Sequence, residues 1–368
     1  MTAIEHTGTD PYNAAAIDIA AELDALRRPR AEPTVTRSIE ELMPPHDNVP
    51  VGIAREYEAM GNQPVTDGLA AEAAEVGASF EHLGLTLGTV IHGIDLNQDL
   101  DARTIALIRS TLLERKVIFF RDQHLDEATQ VAFGRHFGEL DAFPFGAPGE
   151  DPYILEIRHH DQSPGSENGW HTDVTWMEHP SLGSIAQCVT APPIGGDTLF
   201  ADSHAAWRGL KAELQAQVLP LHGINDYRIF LGSLRGRAAS DELVQRIKER
   251  ISFGVTHPLC RVHPETGKPA LYIHGGFLRH DSLHNPATGE ELDAKESRSI
   301  VRQLLAQHAR PEYQCRFAWT EGSIAFWDNR AVQHYAASDY WPHRRVLRRV
   351  TVRGDRPVAW TGCSAAAT

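Results

Sequence analysis

The chain has 368 residues, 42% hydrophobic and 23% charged, which is room for one large domain with an appendage or two modest domains. Its 35 Lys+Arg against 49 Asp+Glu give a net charge of −14, which argues against a nucleic-acid binder with a basic face. No apolar run is long enough to span a membrane, and the start Met-Thr-Ala-Ile-Glu-His has neither the basic nor the apolar segment of a signal peptide.

Residues 1–79 stand apart as an N-terminal extension. They hold 5 Arg against 14 Asp+Glu, a net of −9, so most of the acidity lies outside residues 80–368. Prolines recur at 11, 29, 33, 44, 45, 50 and 64. One helix is expected from about Asn13 to Leu26, stopped by Pro29 and followed by a Pro-rich linker. The expected role is a loosely ordered segment packed on the main body or on a partner chain.

From Phe80 the pattern changes. Leu83, Leu85, Leu87, Thr89 and Ile91 alternate as in a strand. Asp101 caps a helix carrying Ile105, Ile108 and Leu112, and Val117-Ile118-Phe119-Phe120 reads as a buried strand. A helix is expected from Glu127 to Phe137. Short strands then dominate, separated by turns such as Pro192-Pro193 and Gly195-Gly196 and interrupted by helices near 203–219 and 295–309. Residues 262–273 carry the signature of a hairpin. The fold class expected is mainly β with inserted helices, around a jelly-roll or cupin-like core.

Three His-x-Asp pairs occur. Asp126 of the first stands where a helix N-cap is needed, and the second, His159-His160-Asp161, opens a polar loop. The third lies in Trp170-His171-Thr172-Asp173-Val174-Thr175-Trp176, which reads as a strand, so His171 and Asp173 point to one side. With a distant histidine such a pair forms the two-His-one-carboxylate triad of non-haem Fe(II) oxygenases. Trp327-Asp328-Asn329-Arg330 leads to His334, a candidate third ligand. Further on, Arg345, Leu347 and Arg349 share one face of a strand, with the two arginines about 13 Å apart in Cα position. Two such guanidinium groups suit a dicarboxylate and a second anion. The four cysteines, Cys188, Cys260, Cys315 and Cys363, are scattered, as expected of unpaired thiols in a reducing compartment. A cytoplasmic protein is expected.

Taken in order, these motifs resemble the taurine dioxygenase (TauD/TfdA) family. The likeness includes Phe119-Phe120-Arg121-Asp122-Gln123, Phe137-Gly138-Glu139-Leu140, Gly195-Gly196-Asp197-Thr198 and His263-Pro264-Glu265-Thr266-Gly267-Lys268, and spans about residues 80–358. The resemblance implies a double-stranded β-helix, a homo-oligomer, Fe(II), and 2-oxoglutarate and O2 as cosubstrates. It implies that His171, Asp173 and His334 hold the metal, that Thr198 and Arg345 hold the far carboxylate of 2-oxoglutarate, and that Arg349 holds the acid of the substrate. Hydroxylation with release of succinate and CO2 would follow. Taurine itself is not expected, because Phe143, Gly146 and Glu167 replace the family's polar contacts. Phe143, Glu167, Phe230 and Phe277 are the expected pocket residues for a bulkier anion: an alkyl sulfonate, a sulfate ester or a carboxylic acid. Desaturation by the same cofactors, or a cupin-like metal binder without turnover, are the alternatives.

Overall fold

The computed structural model describes residues 51–142, 151–163, 165, 167–227, 245 and 254–362. In chain order, helices α1 (Val51–Ala59) and α2 (Asp67–Glu75) lead into strands β1 (Ser79–His82) and β2 (Thr89–His92). Helix α3 (Ala102–Arg115), β3 (Val117–Phe120), α4 (Glu127–Arg135) and β4 (Leu155–His159) follow. Next come β5 (Gly183–Thr190), β6 (Thr198–Asp202), α5 (Ser203–Arg208) and α6 (Ala212–Val218). Six short strands succeed them: β7 (His222–Asn225), β8 (Val255–Pro258), β9 (Cys260–Val262), β10 (Pro269–Leu271), β11 (His284–Asn285) and β12 (Glu290–Glu291). Helix α7 (Ala294–His308) precedes β13 (Gln314–Phe317), β14 (Ile324–Asp328), β15 (Val332–Ala336) and β16 (Arg345–Val352).

Seven strands form the main sheet, ordered β1-β2-β3-β14-β5-β16-β4, and β13-β6-β15 form a smaller one. Successive residues of a strand face opposite sides. On one side of the main sheet Phe119, Ala186, Ala325 and Leu347 pack with Phe200 and Phe317 of the small sheet. On the other side Ile118, Phe120, Ile185 and Phe326 pack with Leu107, Ile108 and Leu112 of α3 and with Phe133 of α4. Both faces are covered, so β3 is buried at all four positions and its sequence shows no polar alternation. Asp101 and Asp126 cap α3 and α4 as expected, accepting from the N–H groups of Thr104 and Thr129. Strands β9 and β10 form the expected hairpin.

The expected strand through Leu83, Leu85 and Leu87 is instead a turn. Strands β1 and β2 pair antiparallel on either side of it, from Ser79↔His92 to His82↔Thr89. Gly88 takes a left-handed φ of +79°, and Leu85 is exposed. The expected helix over 203–219 breaks at Gly209 into α5 and α6. The expected helix at 13–26 lies outside the described residues. No helix among the described residues is long and apolar enough to cross a membrane.

Asp47–Thr368 form one compact unit, so residues 51–78, assigned to the extension from sequence, pack as part of it. Glu56 of α1 is fully buried and meets Lys116 at 3.2 Å, Arg208 at 2.8 Å and Lys268 at 3.2 Å. Lys116, the left-handed C-cap of α3, also reaches Asp202 at 2.8 Å. The other carboxylate oxygen of Asp202 caps α5 through the N–H groups of His204 and Ala205. Burial pushes the Glu56 carboxyl up, but Lys116 and the other cations outweigh it and hold the group well below its ordinary range. Its stabilisation is therefore complete above the unfolded glutamate range near about 4.3 and is lost as pH falls below it. We expect Glu56→Ala to cost about 3–5 kcal/mol in urea unfolding at neutral pH, with the difference from wild type shrinking in acid.

Candidate metal centre

His171 and His334 are joined by two backbone hydrogen bonds, His171 N–H to His334 O at 3.1 Å and His334 N–H to His171 O at 2.7 Å. That reciprocal pairing is one rung of an antiparallel ladder, which sets two side chains next to each other on one face. Their ring centroids are 4.0 Å apart. Asp173 joins them, and one donor atom from each of the three residues lies within 4.8 Å of the others. Beyond this rung the expected strand over 170–176 does not continue. Residues 173–176 turn, with Val174 at a φ of +48°, a costly conformation for a β-branched residue. The convergence read from sequence is therefore present, but a turn produces it rather than a strand pleat.

Asn329, in the tight connection between β14 and β15, holds that turn. Its backbone O accepts from Thr172 Oγ1 at 2.7 Å, and its side chain donates to Asp173 Oδ2 at 3.2 Å and to Ser181 Oγ at 2.8 Å. Trp327 Nε1 fixes the amide by donating to Asn329 Oδ1 at 2.9 Å. Ser184 Oγ donates to Asp173 Oδ2 at 2.9 Å, and an Arg349 N–H donates to Asp173 Oδ1 at 3.0 Å. Burial raises the Asp173 pKa, but Arg349, His334 and His171 outweigh it, so the carboxyl stays ionised. Burial and the neighbouring His171 hold His334 neutral. His171 Nδ1 pairs with Gly169 O at 2.7 Å, which leaves its Nε2 for a metal. Two imidazoles and an ionised carboxylate, with His171 and Asp173 oriented by outer hydrogen bonds, are the donor set that a divalent iron requires.

Beside this cluster is a small cavity of about 70 Å³ whose lining includes His171, His334, Thr198, Arg345, Arg349 and Glu167. Arg345, Leu347 and Arg349 all face it, as the strand alternation predicts, while Arg348 on the other side donates to Gln130 of α4. Arg345 is buried, and its N–H reaches Thr198 Oγ1 at 3.4 Å. Its Nε and that of Arg349 are buried with no hydrogen-bond partner among the described residues, which leaves donors ready for anions. Gly196, at a φ of +75°, makes the approach possible, since a Cβ there would stand 3.1 Å from both Arg345 and Tyr340. Trp319 Nε1 donates to Thr198 Oγ1 at 2.9 Å.

Of the expected pocket residues, Glu167 lines this cavity and lies 3.4 Å from His159. Phe277 is half-buried, packs tilted against His274 with ring centroids 4.2 Å apart and stacks on Tyr227 at 6.2 Å, outside the lining of this cavity. Phe143 and Phe230, with Gly146, lie outside the described residues. Sequence reasoning missed Ser184, Trp319, Tyr340 and the role of Asn329. Only Asn329 carried a signal, its place in the Trp-Asp-Asn-Arg motif. Asp328 and Arg330 of that motif pair with each other at 2.7 Å, and Asp328 pairs with His263 at 3.0 Å, a buried brace behind the site. The three described cysteines are free and buried.

The family described as "Taurine catabolism dioxygenase TauD, TfdA family" matches residues 79–351. An alpha-ketoglutarate-dependent sulfate ester dioxygenase of Pseudomonas putida is 36% identical over 282 residues, covering 75% of this chain and 89% of the relative. An alkylsulfatase of Acinetobacter baylyi is 34% identical over 276 residues, covering 73% of this chain and 83% of the relative. The crystal structure of a taurine dioxygenase from Burkholderia xenovorans superposes with a TM-score of 0.63 at 34% identity, covering 78% of this chain and 94% of that one.

If Asn329 and Ser184 orient the carboxylate, Asn329→Ala should weaken Co(II) binding to the metal-free protein roughly 10–100-fold, as outer-shell losses do elsewhere. Visible titration would measure it, and unchanged affinity would refute the role.

Proposed function

The chain belongs to the TauD/TfdA family, and from that premise we propose that it oxidises an alkyl sulfate ester at the carbon bearing the sulfate. It is an Fe(II)- and 2-oxoglutarate-dependent dioxygenase acting on a small anionic substrate. The observation that carries the substrate assignment is the placement of two arginines on one cavity. Arg345 is beside Thr198, and Arg349 is beside the metal-binding carboxylate of Asp173. The names of the Pseudomonas and Acinetobacter relatives favour a sulfate ester over a sulfonate or a carboxylic acid. The small sheet stacked on the main sheet supports a double-stranded β-helix as the frame.

His171, Asp173 and His334 would hold the iron. Bound Fe(II), with 2-oxoglutarate and O2, supplies oxidative chemistry in which the oxo acid leaves as succinate and CO2 and a substrate C–H becomes C–OH. Arg345 and Thr198 bind the far carboxylate of 2-oxoglutarate and so fix where its reacting end lies. Arg349 binds the sulfate, which sets the adjacent carbon near the metal. A hydroxyl on that carbon makes an unstable hemiacetal ester. Its O–H proton leaves, the C–O bond to sulfate breaks, and an aldehyde and inorganic sulfate depart.

We expect succinate, aldehyde and sulfate in equal amounts from a medium-chain alkyl sulfate. Succinate from sulfonates or aryloxy acids but not from sulfate esters would overturn the substrate assignment. Arg345→Ala should raise the KM for 2-oxoglutarate roughly 10–100-fold, in line with loss of a charged hydrogen bond. Arg349→Gln should raise the KM for the sulfate ester by a similar factor while changing the KM for 2-oxoglutarate much less. A parallel rise in both KM values would contradict this division between the arginines.

A further inference from the structure

Arg345 is almost fully buried, yet its N–H contact with Thr198 is long at 3.4 Å and its Nε has no partner. A flexible guanidinium needs restraint if it is to meet a carboxylate in one geometry, and a side-chain hydrogen bond with Tyr340 supplies some of it. Two aromatic rings provide part of it, with the guanidinium carbon 5.6 Å from the Tyr340 ring centroid and 5.9 Å from that of Trp319. Tyr340 is itself fixed. Its hydroxyl pairs with His159 Nδ1 at 2.5 Å, and the two rings lie nearly parallel with centroids 6.2 Å apart.

His159 is well placed for this task, because it is the register partner of Arg345 across β4 and β16. Its Nε2 lies 3.4 Å from Glu167, which lines the same cavity. The backbone around the pair is also closed. Gly165 passes so near Tyr340 that a Cβ there would stand 2.5 Å from the hydroxyl. The exposed Trp341 donates to Asp161 O at 3.0 Å. The segments around His159 and Tyr340 are therefore tied by the histidine–tyrosine contact and by the Trp341–Asp161 bond.

We infer that His159 and Tyr340 are positioning residues for the cosubstrate, holding the Arg345 guanidinium at the distance that fits a five-carbon 2-oxo diacid. The inference rests on the reading of Arg345 as the anchor of 2-oxoglutarate. Neither residue touches the reacting atoms; each acts through Arg345. Loosening the brace lets the guanidinium shift along the cavity, which weakens the grip and blurs the choice of chain length.

The test uses the full chain with Fe(II) and measures KM and kcat for 2-oxoglutarate and for the six-carbon 2-oxoadipate. Tyr340→Phe and His159→Leu should each raise the KM for 2-oxoglutarate about tenfold with a smaller change in kcat, and should narrow its preference over 2-oxoadipate. His159→Gln, which keeps a polar partner for the hydroxyl, should recover most of the preference. Co(II) affinity of the metal-free variants should equal that of wild type. Unchanged KM and preference in both Tyr340→Phe and His159→Leu would overturn the inference. So would equal damage in His159→Gln together with lost Co(II) affinity, which marks the pair as structural only. Failure of the wild-type chain to consume 2-oxoglutarate would instead remove the functional reading itself.

Discussion

The two backbone hydrogen bonds between His171 and His334 bring together segments that are 163 residues apart in the chain. Everything at the site is arranged about that rung. It puts two imidazoles side by side on one face, and Asp173 then needs only a tight turn to reach them. The turn is strained at Val174, and the bonds from Asn329 and Ser184 to the Asp173 carboxylate stabilise what the backbone alone would not adopt. Outer hydrogen bonds of this kind fix a ligand's orientation, which limits the ordering cost of binding a metal.

The acidic character of the whole chain says little about this region. Buried charges occur in paired groups, Glu56 with Lys116 and its neighbours, and Asp328 with Arg330 and His263. In such groups the loss of one member is far more costly than the net value of the pair. At the cavity Arg349 likewise pairs with Asp173. Even so, Arg345 and Arg349 each keep a buried Nε without a partner among the described residues, donors that suit an anion despite a net charge of −14.

Much of this is legible in the sequence where local rules dominate. The caps at Asp101 and Asp126, the covered strand β3 and the shared face of Arg345, Leu347 and Arg349 follow from side-chain chemistry and strand periodicity. The convergence of His171, Asp173 and His334 follows from their motifs, although the local conformation at 171–173 departs from the strand expected there. Alternating residues look alike in a strand and in a turn that pairs for only one rung. The turn at 83–88 departs for a related reason, with glycine outweighing the apolar alternation. Contacts such as Tyr340 with His159, or Glu56 with Lys116, join residues far apart in the chain and leave no local pattern. The placement of α1 in the compact unit is hidden for that reason.

The central claim is that His171, Asp173 and His334 make one iron centre that accepts 2-oxoglutarate beside Arg345. Anaerobic titration of the Fe(II)-loaded protein with 2-oxoglutarate tests it most directly. A visible charge-transfer band that saturates at one equivalent, and is absent when Asp173 is replaced by Ala, is the result predicted. No band in the wild-type protein, or an undiminished band in the Asp173→Ala variant, would contradict the account.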